Sequence, residues 1–212
     1  IKMIMKLLSL SVLALFTVIP HEPLPDLAIG GTLPAADKVM MDVSGTSTSL
    51  RDLVGNNGLL VIFSCNTCPF VIGSEGSVGW EGRYPELAAM SARSGIGMAM
   101  VNSNEAKRDD GDAFADMQAR YKEKGFRGSY LLDENHVVAD AFGARTTPHV
   151  FLFDKDMKLV YKGAIDDNVS DPAAVKEKWL ENALNALASG AAIDPATTRN
   201  VGCSIKRIKH EH

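Results

Sequence analysis

Leu59-Leu60-Val61-Ile62-Phe63-Ser64-Cys65-Asn66-Thr67-Cys68-Pro69-Phe70 is the stretch on which the fold turns. Its five leading apolar residues have the length and β-branched content of a buried strand. Two cysteines follow after a single serine, so the pair falls on a strand-to-helix turn. Pro69 suits the first turn of that helix, where a missing N–H has no bond to lose. Cys65 is then expected at a helix N-terminus. Unpaired amides and the helix dipole favour negative charge there, so its thiol should ionise more readily than a free one. A thiolate is the attacking group in disulfide exchange, and a second thiol three positions on can displace whatever first bonds to it.

Working outward, Val39 to Val43 has strand character, Ser44-Gly45-Thr46 reads as a turn, and Ser49 to Leu53 as one helical turn ended by Gly55 to Gly58. After the cysteines, Gly73, Gly76, Gly79 and Gly82 recur every third residue. Each costs about 1 kcal/mol of helix propensity against alanine, so that helix is expected to be loose, or broken near Gly82. Tyr84 to Ala92 resumes a helical pattern, Gly97 to Val101 is a second strand, and Asn102 to Gly111 a polar loop. Asp112 to Lys124 reads as a helix capped by Asp112, with Ala113, Phe114, Met117 and Tyr121 as its buried stripe. Tyr130 to Leu132 is a short strand, Asn135 to Phe142 a helix closed by Gly143, and Val150 to Phe153 with Lys158 to Tyr161 a hairpin. Asp171-Pro172 opens a helix to Ser189. The alternation predicts an α/β fold: a central sheet with parallel pairs, covered by helices on both faces.

Residues 1–20 stand apart. Lys2 and Lys6 precede an uncharged apolar run from Leu7 to Ile19, which has the length of a signal-peptide core and is short for a membrane span. A signal peptide is expected, with an uncleaved anchor left open because no small-x-small triplet marks a cleavage site. The protein is therefore expected to be exported, to the periplasm or another extracytoplasmic space, with membrane contact only through that segment. Without Lys2 and Lys6 the 22 basic residues fall to 20 against 26 acidic ones, a net charge of −6 that argues against nucleic acid as a partner. Residues 21–34, with Pro23, Pro25 and Pro34, read as a linker, residues 35–190 as one domain, and residues 191–212 as a C-terminal extension carrying Cys203.

Cys65-Asn66-Thr67-Cys68-Pro69 after a buried strand, with Thr146-Thr147-Pro148 opening a later strand (His149 to Phe153) and Gly163 after the hairpin, resembles the thioredoxin-like superfamily. The likeness covers roughly residues 35 to 190. It is nearest to exported redoxin and peroxiredoxin-like proteins that pair such a turn with a Gly-Cys-Ser-Ile-Lys segment, here Gly202 to Lys206. The resemblance implies a thioredoxin-like fold with a central mixed β-sheet flanked by helices, and a cis Thr147–Pro148 bond facing the cysteine turn. It also implies thiol–disulfide exchange without a cofactor: Cys65 attacks, Cys68 resolves, and the Thr147 backbone beside Pro148 holds a protein substrate as an extended chain, with an upstream redox partner resetting the pair. Two departures stand out. Ser64 occupies the place of a tryptophan, and Leu59 that of a buried aspartate which takes a proton from the second cysteine. The peroxiredoxin pattern of proline, threonine and cysteine fits neither Cys65 nor Cys68.

Other readings remain open on the residues alone. The same fold could serve a thiol peroxidase, and Cys65 and Cys68 could be half of a zinc site completed by Cys203 with His149 or His136, although no second close-spaced ligand pair exists. In that case the chain would be a metal-binding or interaction module. Cys203 is a candidate auxiliary thiol or a buried structural one. His149 is a candidate for tuning the thiolate or a hydrogen-bonded strand residue. Glu75 reads as a solvated helix residue, and Glu105 to Asp112 as a solvated acidic loop.

Overall fold

The computed structural model describes residue 24 and residues 26–208, so the apolar run at residues 1–20 lies outside the described residues. The domain opens with two short antiparallel strands, β1 (Met40–Asp42) and β2 (Ser47–Thr48). β3 (Gly58–Ser64) follows, buried at every position, and leads through the cysteines into α1 (Pro69–Ile72). Next come α2 (Tyr84–Arg93), β4 (Ile96–Asn102), α3 (Phe114–Glu123), β5 (Ser129–Leu132) and α4 (Val137–Phe142). A two-residue strand, β6 (Thr146–Thr147), precedes the hairpin of β7 (His149–Asp154) and β8 (Leu159–Gly163). α5 (Trp179–Ser189) and a last strand, β9 (Cys203–Ser204), complete the order.

Seven strands form one mixed sheet in the order β2-β1-β5-β4-β3-β7-β8. β3 runs parallel to β4, β4 parallel to β5, and β7 antiparallel to both β3 and β8. The continuous apolar run of β3 is what an interior strand covered on both faces requires. Leu60 and Ile62 enter one core with residues of α2 and α5, whereas Leu59, Val61 and Phe63 enter the other with Val138, Ala139 and Phe142 of α4. The second core is tied by edge-to-face rings, with Phe63 centred 5.1 Å from Phe142 and 5.8 Å from Phe151. This is the expected α/β architecture, with strand positions within a residue or two of those read from the pattern.

Two helices depart from expectation. The helix after Cys68 stops at Ile72, a single turn, and Glu75 lies in the reversal Ser74–Ser77 rather than on a helix. Gly73, Gly76 and Gly79 all have positive φ. A Cβ on Gly79 would stand 2.4 Å from both Gly73 N and the Val71 carbonyl oxygen, so the repeat serves a loop that folds back on α1. The helix expected from Asp171 begins only at Trp179. Asp171 caps an isolated turn at Pro172–Ala174, and Asp167 Oδ1 then accepts the Lys176 and Glu177 amides, holding that segment extended.

Among the described residues, the segments before and after the central domain both pack back onto it. Residues 30–33 bond to the hairpin through Gly30 N to Leu159 O and Leu33 N to Met157 O, both 2.8 Å, so the described part of the expected linker lines the β8 edge. The extension also returns to the domain: Thr197 bridges Lys162, and β9 pairs antiparallel with β6.

Candidate active site

Cys65 directly follows β3 and Cys68 is the N-cap of α1. Strand and helix thus fix the two ends of the four-residue turn, and Thr147 fixes the sulfurs. Thr147 Oγ1 is 3.1 Å from Cys65 Sγ, and the Thr147 carbonyl oxygen is 3.1 Å from Cys68 Sγ. The peptide bond to Pro148 is cis, as the resemblance implied. Cys65, Cys68, Thr147 and Pro148 are therefore brought together, and the cysteines are free thiols. Both are covered, Cys65 being 1% and Cys68 4% exposed.

Part of the cover is β9. Its register sets Cys203 opposite Thr147 and Ser204 opposite Thr146. Gly202 permits the approach, since a Cβ there would lie 2.4 Å from the Thr147 carbonyl oxygen. The tail is pinned on both sides of Cys203: Asn200 Nδ2 donates to Thr146 Oγ1 at 2.8 Å, Ile205 N to Arg145 O at 3.0 Å, and Lys206 N to Asn104 Oδ1 at 2.9 Å. Cys203 joins the two core cysteines, half-buried against them, and the backbone edge expected to receive a partner chain is paired with the protein's own tail.

This packing sets the acidities, and it reverses one expectation. Cys68 is lowered to about 5, first because the Cys65 thiol hydrogen-bonds to it; burial opposes the shift, and the Cys203 thiol and N–H add to it. The Thr147 hydroxyl also lowers the Cys68 pKa, while the Cys68 thiol donates to the Thr147 carbonyl oxygen. Cys65 is pushed up by burial, by giving its proton to Cys68 and by the nearby Asp112 carboxylate. Cys203 is pushed up to about 11 by burial and by its own bond to Cys68. The lowered pKa thus falls on Cys68 rather than on Cys65. A one-turn helix is too short to supply the dipole assumed for Cys65.

Asp112 is the residue that sequence reasoning misplaced. It does not cap α3, whose N-cap is Ala113. It is fully buried behind the cysteine turn, where Oδ1 accepts the Asn66 amide at 2.6 Å and Asn102 Nδ2 at 2.8 Å, and Oδ2 accepts Thr67 Oγ1 at 2.8 Å and Asn104 Nδ2 at 3.1 Å. Four donors compensate the burial of one carboxylate and lock the two residues between the cysteines. Asn66 is held further by Tyr130, whose hydroxyl donates to Asn66 Oδ1 at 3.0 Å. Asn66 and Thr67 carried the available signal: polar residues inside a buried turn need partners.

His149 lies elsewhere. It follows Pro148 into β7, opposite Phe63, and its Nδ1 accepts the Arg145 amide at 3.3 Å. It lines a cavity of about 180 Å³ with Asp26, Arg145, Lys162 and Thr198. Burial first, then Lys162 and Arg145, lower its pKa to about 4, so it is neutral at ordinary pH. His136 faces Asp140, 2.7 Å away, on the α4 side. Among the described residues no three His, Cys, Asp or Glu side chains gather to hold a metal ion.

The redoxin family model matches residues 28–183. The crystal structure of an uncharacterized conserved protein from Geobacillus kaustophilus is 29% identical, with a TM-score of 0.78 over 87% of this chain and 95% of that one. A hypothetical protein from Sinorhizobium meliloti is also 29% identical, with a TM-score of 0.75 over 88% and 98%. A putative thiol:disulfide interchange protein DsbE from Chlorobium tepidum, 17% identical, shares the fold, with a TM-score of 0.57 over 77% and 99%. No curated protein matches the chain.

Proposed function

The chain belongs to the redoxin family, with the thioredoxin-like fold, and from that premise we propose that it is a thiol–disulfide oxidoreductase using Cys65 and Cys68 on protein partners. One observation carries this reading: two thiols three residues apart converge on one threonine beside a cis proline, one on its hydroxyl and one on its carbonyl, each at 3.1 Å. Such a pair stores and releases two electrons as a disulfide.

Cys65 is the attacking sulfur in this proposal, although the lower pKa falls on Cys68. The two sulfurs share a proton through the Cys65-to-Cys68 hydrogen bond, and moving it across makes Cys65 the thiolate. Thr147 Oγ1 then donates to that charge, whereas the carbonyl beside Cys68 opposes charge where it started. Cys65 bonds to one sulfur of a partner disulfide, and Cys68 displaces the partner and closes the Cys65–Cys68 bond. A partner chain reaches Thr147 once β9 lifts from it.

The segment with Lys2, Lys6 and the apolar run supports placing this chemistry in an exported protein, where a disulfide persists. Among the described residues no helix is long and apolar enough to cross a membrane.

The test is a single-turnover reaction of the reduced protein with a protein disulfide. Cys65→Ser should abolish exchange, and Cys68→Ser should accumulate a mixed disulfide between Cys65 and the partner. Equal, partial losses from both substitutions would reject these roles.

A further inference from the structure

The three thiols are not equally placed. Cys65 and Cys68 are 1% and 4% exposed, while Cys203 is half-buried at the surface of the same cluster. The β6–β9 register holds Cys203 opposite Thr147, the residue whose carbonyl meets Cys68. Cys203 packs against the buried cluster that contains Cys65 and Cys68. Gly202, the one residue type that tolerates this approach, precedes it, and bonds from Asn200, Ile205 and Lys206 hold the tail on either side. An antiparallel strand at Thr147 with a cysteine against the redox pair is also the pose that the fold was expected to impose on a partner chain.

We propose that Cys203 is a third exchanging thiol: it takes Cys68 over from Cys65 and presents the resulting disulfide to an upstream protein dithiol that resets the enzyme. The proposal rests on the reading of Cys65 and Cys68 as the redox couple, and it divides the labour between two partners, a substrate at Cys65 and a reductant at Cys203.

The chemistry balances in two stages. With Cys65 and Cys68 joined after turnover, the Cys203 thiol loses its proton to solvent and its sulfur attacks Cys68 Sγ. The Cys65–Cys68 bond breaks, the Cys68–Cys203 bond forms, and the electron pair leaves on Cys65, which takes a proton from water beside Thr147 Oγ1. One disulfide has replaced another without net oxidation. One sulfur of the upstream dithiol then attacks Cys203 and expels Cys68, and its second sulfur displaces Cys203. Two electrons and two protons pass to the protein, which again holds three thiols, and the reductant departs as a disulfide.

Two variants test this. The Cys65→Ser protein, treated with oxidised glutathione, should close a Cys68–Cys203 disulfide identifiable by peptide mass; glutathione adducts confined to separate cysteines would overturn the relay. Oxidised Cys203→Ser should be re-reduced by a thioredoxin at least about tenfold more slowly than the parent, because the dithiol must then reach a buried bond. Re-reduction at the parental rate would overturn it. The prereduced parent protein should complete its first turnover on a protein disulfide without added reductant. Failure there would overturn the Cys65–Cys68 couple itself, and the relay with it.

Discussion

At the scale of single residues, His149 shows how far a side chain can sit from the role its neighbours suggest. It follows the cis proline, yet it turns its imidazole to Arg145 and the cavity beside Lys162. Its pKa is lowered to about 4 in the folded protein, against an unfolded value of about 6.5. The unfolded chain therefore takes up this proton first as pH falls. The stability that depends on neutral His149 is complete above about pH 6.5, is lost between about 6.5 and 4, and changes no further below that. Urea unfolding at pH 7 and pH 4 should show the parent losing about 3 kcal/mol more than His149→Gln; equal losses would mean that the ring is already charged when folded. The cysteines themselves were legible from the sequence, because strand, turn and proline are local signals. Their acidities were not, since the lowered pKa of Cys68 depends on the Cys65 thiol and then on Cys203 from another strand. Nor was Asp112: an aspartate before a helical stripe has a local reading, as a cap, and only the folded chain shows its four donors.

Among the elements, the longer strands and the helices α2, α3 and α4 lie close to where the sequence places them, whereas α1 and α5 do not. An interior strand such as β3 announces itself by an unbroken apolar run, whereas helix length here is decided by competing partners. Asp167 captures the amides that would have extended α5 toward Pro172, and the glycines after α1 serve a reversal. Arg83 and Trp80 fasten that loop to the segment after β8, with Arg83 Nε 2.7 Å and Trp80 Nε1 2.8 Å from the Asp166 carboxylate. The repeat of four glycines thus conceals two kinds of position. Gly79 has φ of +71° and no room for a Cβ, while Gly82 has open space around it. Gly79→Ala should destabilise the protein by about 2 kcal/mol or more, through a strained backbone and a clash with the main chain, whereas Gly82→Ala should be neutral or add up to about 1 kcal/mol. Thermal unfolding of the two variants checks this, and a Gly79→Ala protein as stable as the parent would contradict the assigned role of the loop.

For the whole molecule, topology explains why the site lies where it does. β3, β4 and β5 run parallel, so Cys65, Asn102 and Asp133 emerge at one end of the sheet, and the tail closes over that end through Asn104 and Thr147. The sequence reading placed residues 191–212 outside the domain because short strands such as β9 carry no periodicity of their own. Ending the chain at Asn200 should leave the sheet folded, by circular dichroism, and raise the rate at which iodoacetamide alkylates the cysteine pair by about tenfold or more. Unchanged alkylation would show that the tail does not guard the sulfurs. The β6–β9 pairing also fixes the terms of competition at Thr147. A strand tethered to its own dock acts as a ligand at an effective concentration on the order of millimolar, however dilute the protein. A free polypeptide can win the position only by binding surface beyond the four-residue ladder, so selectivity among clients would be written outside the sulfur chemistry.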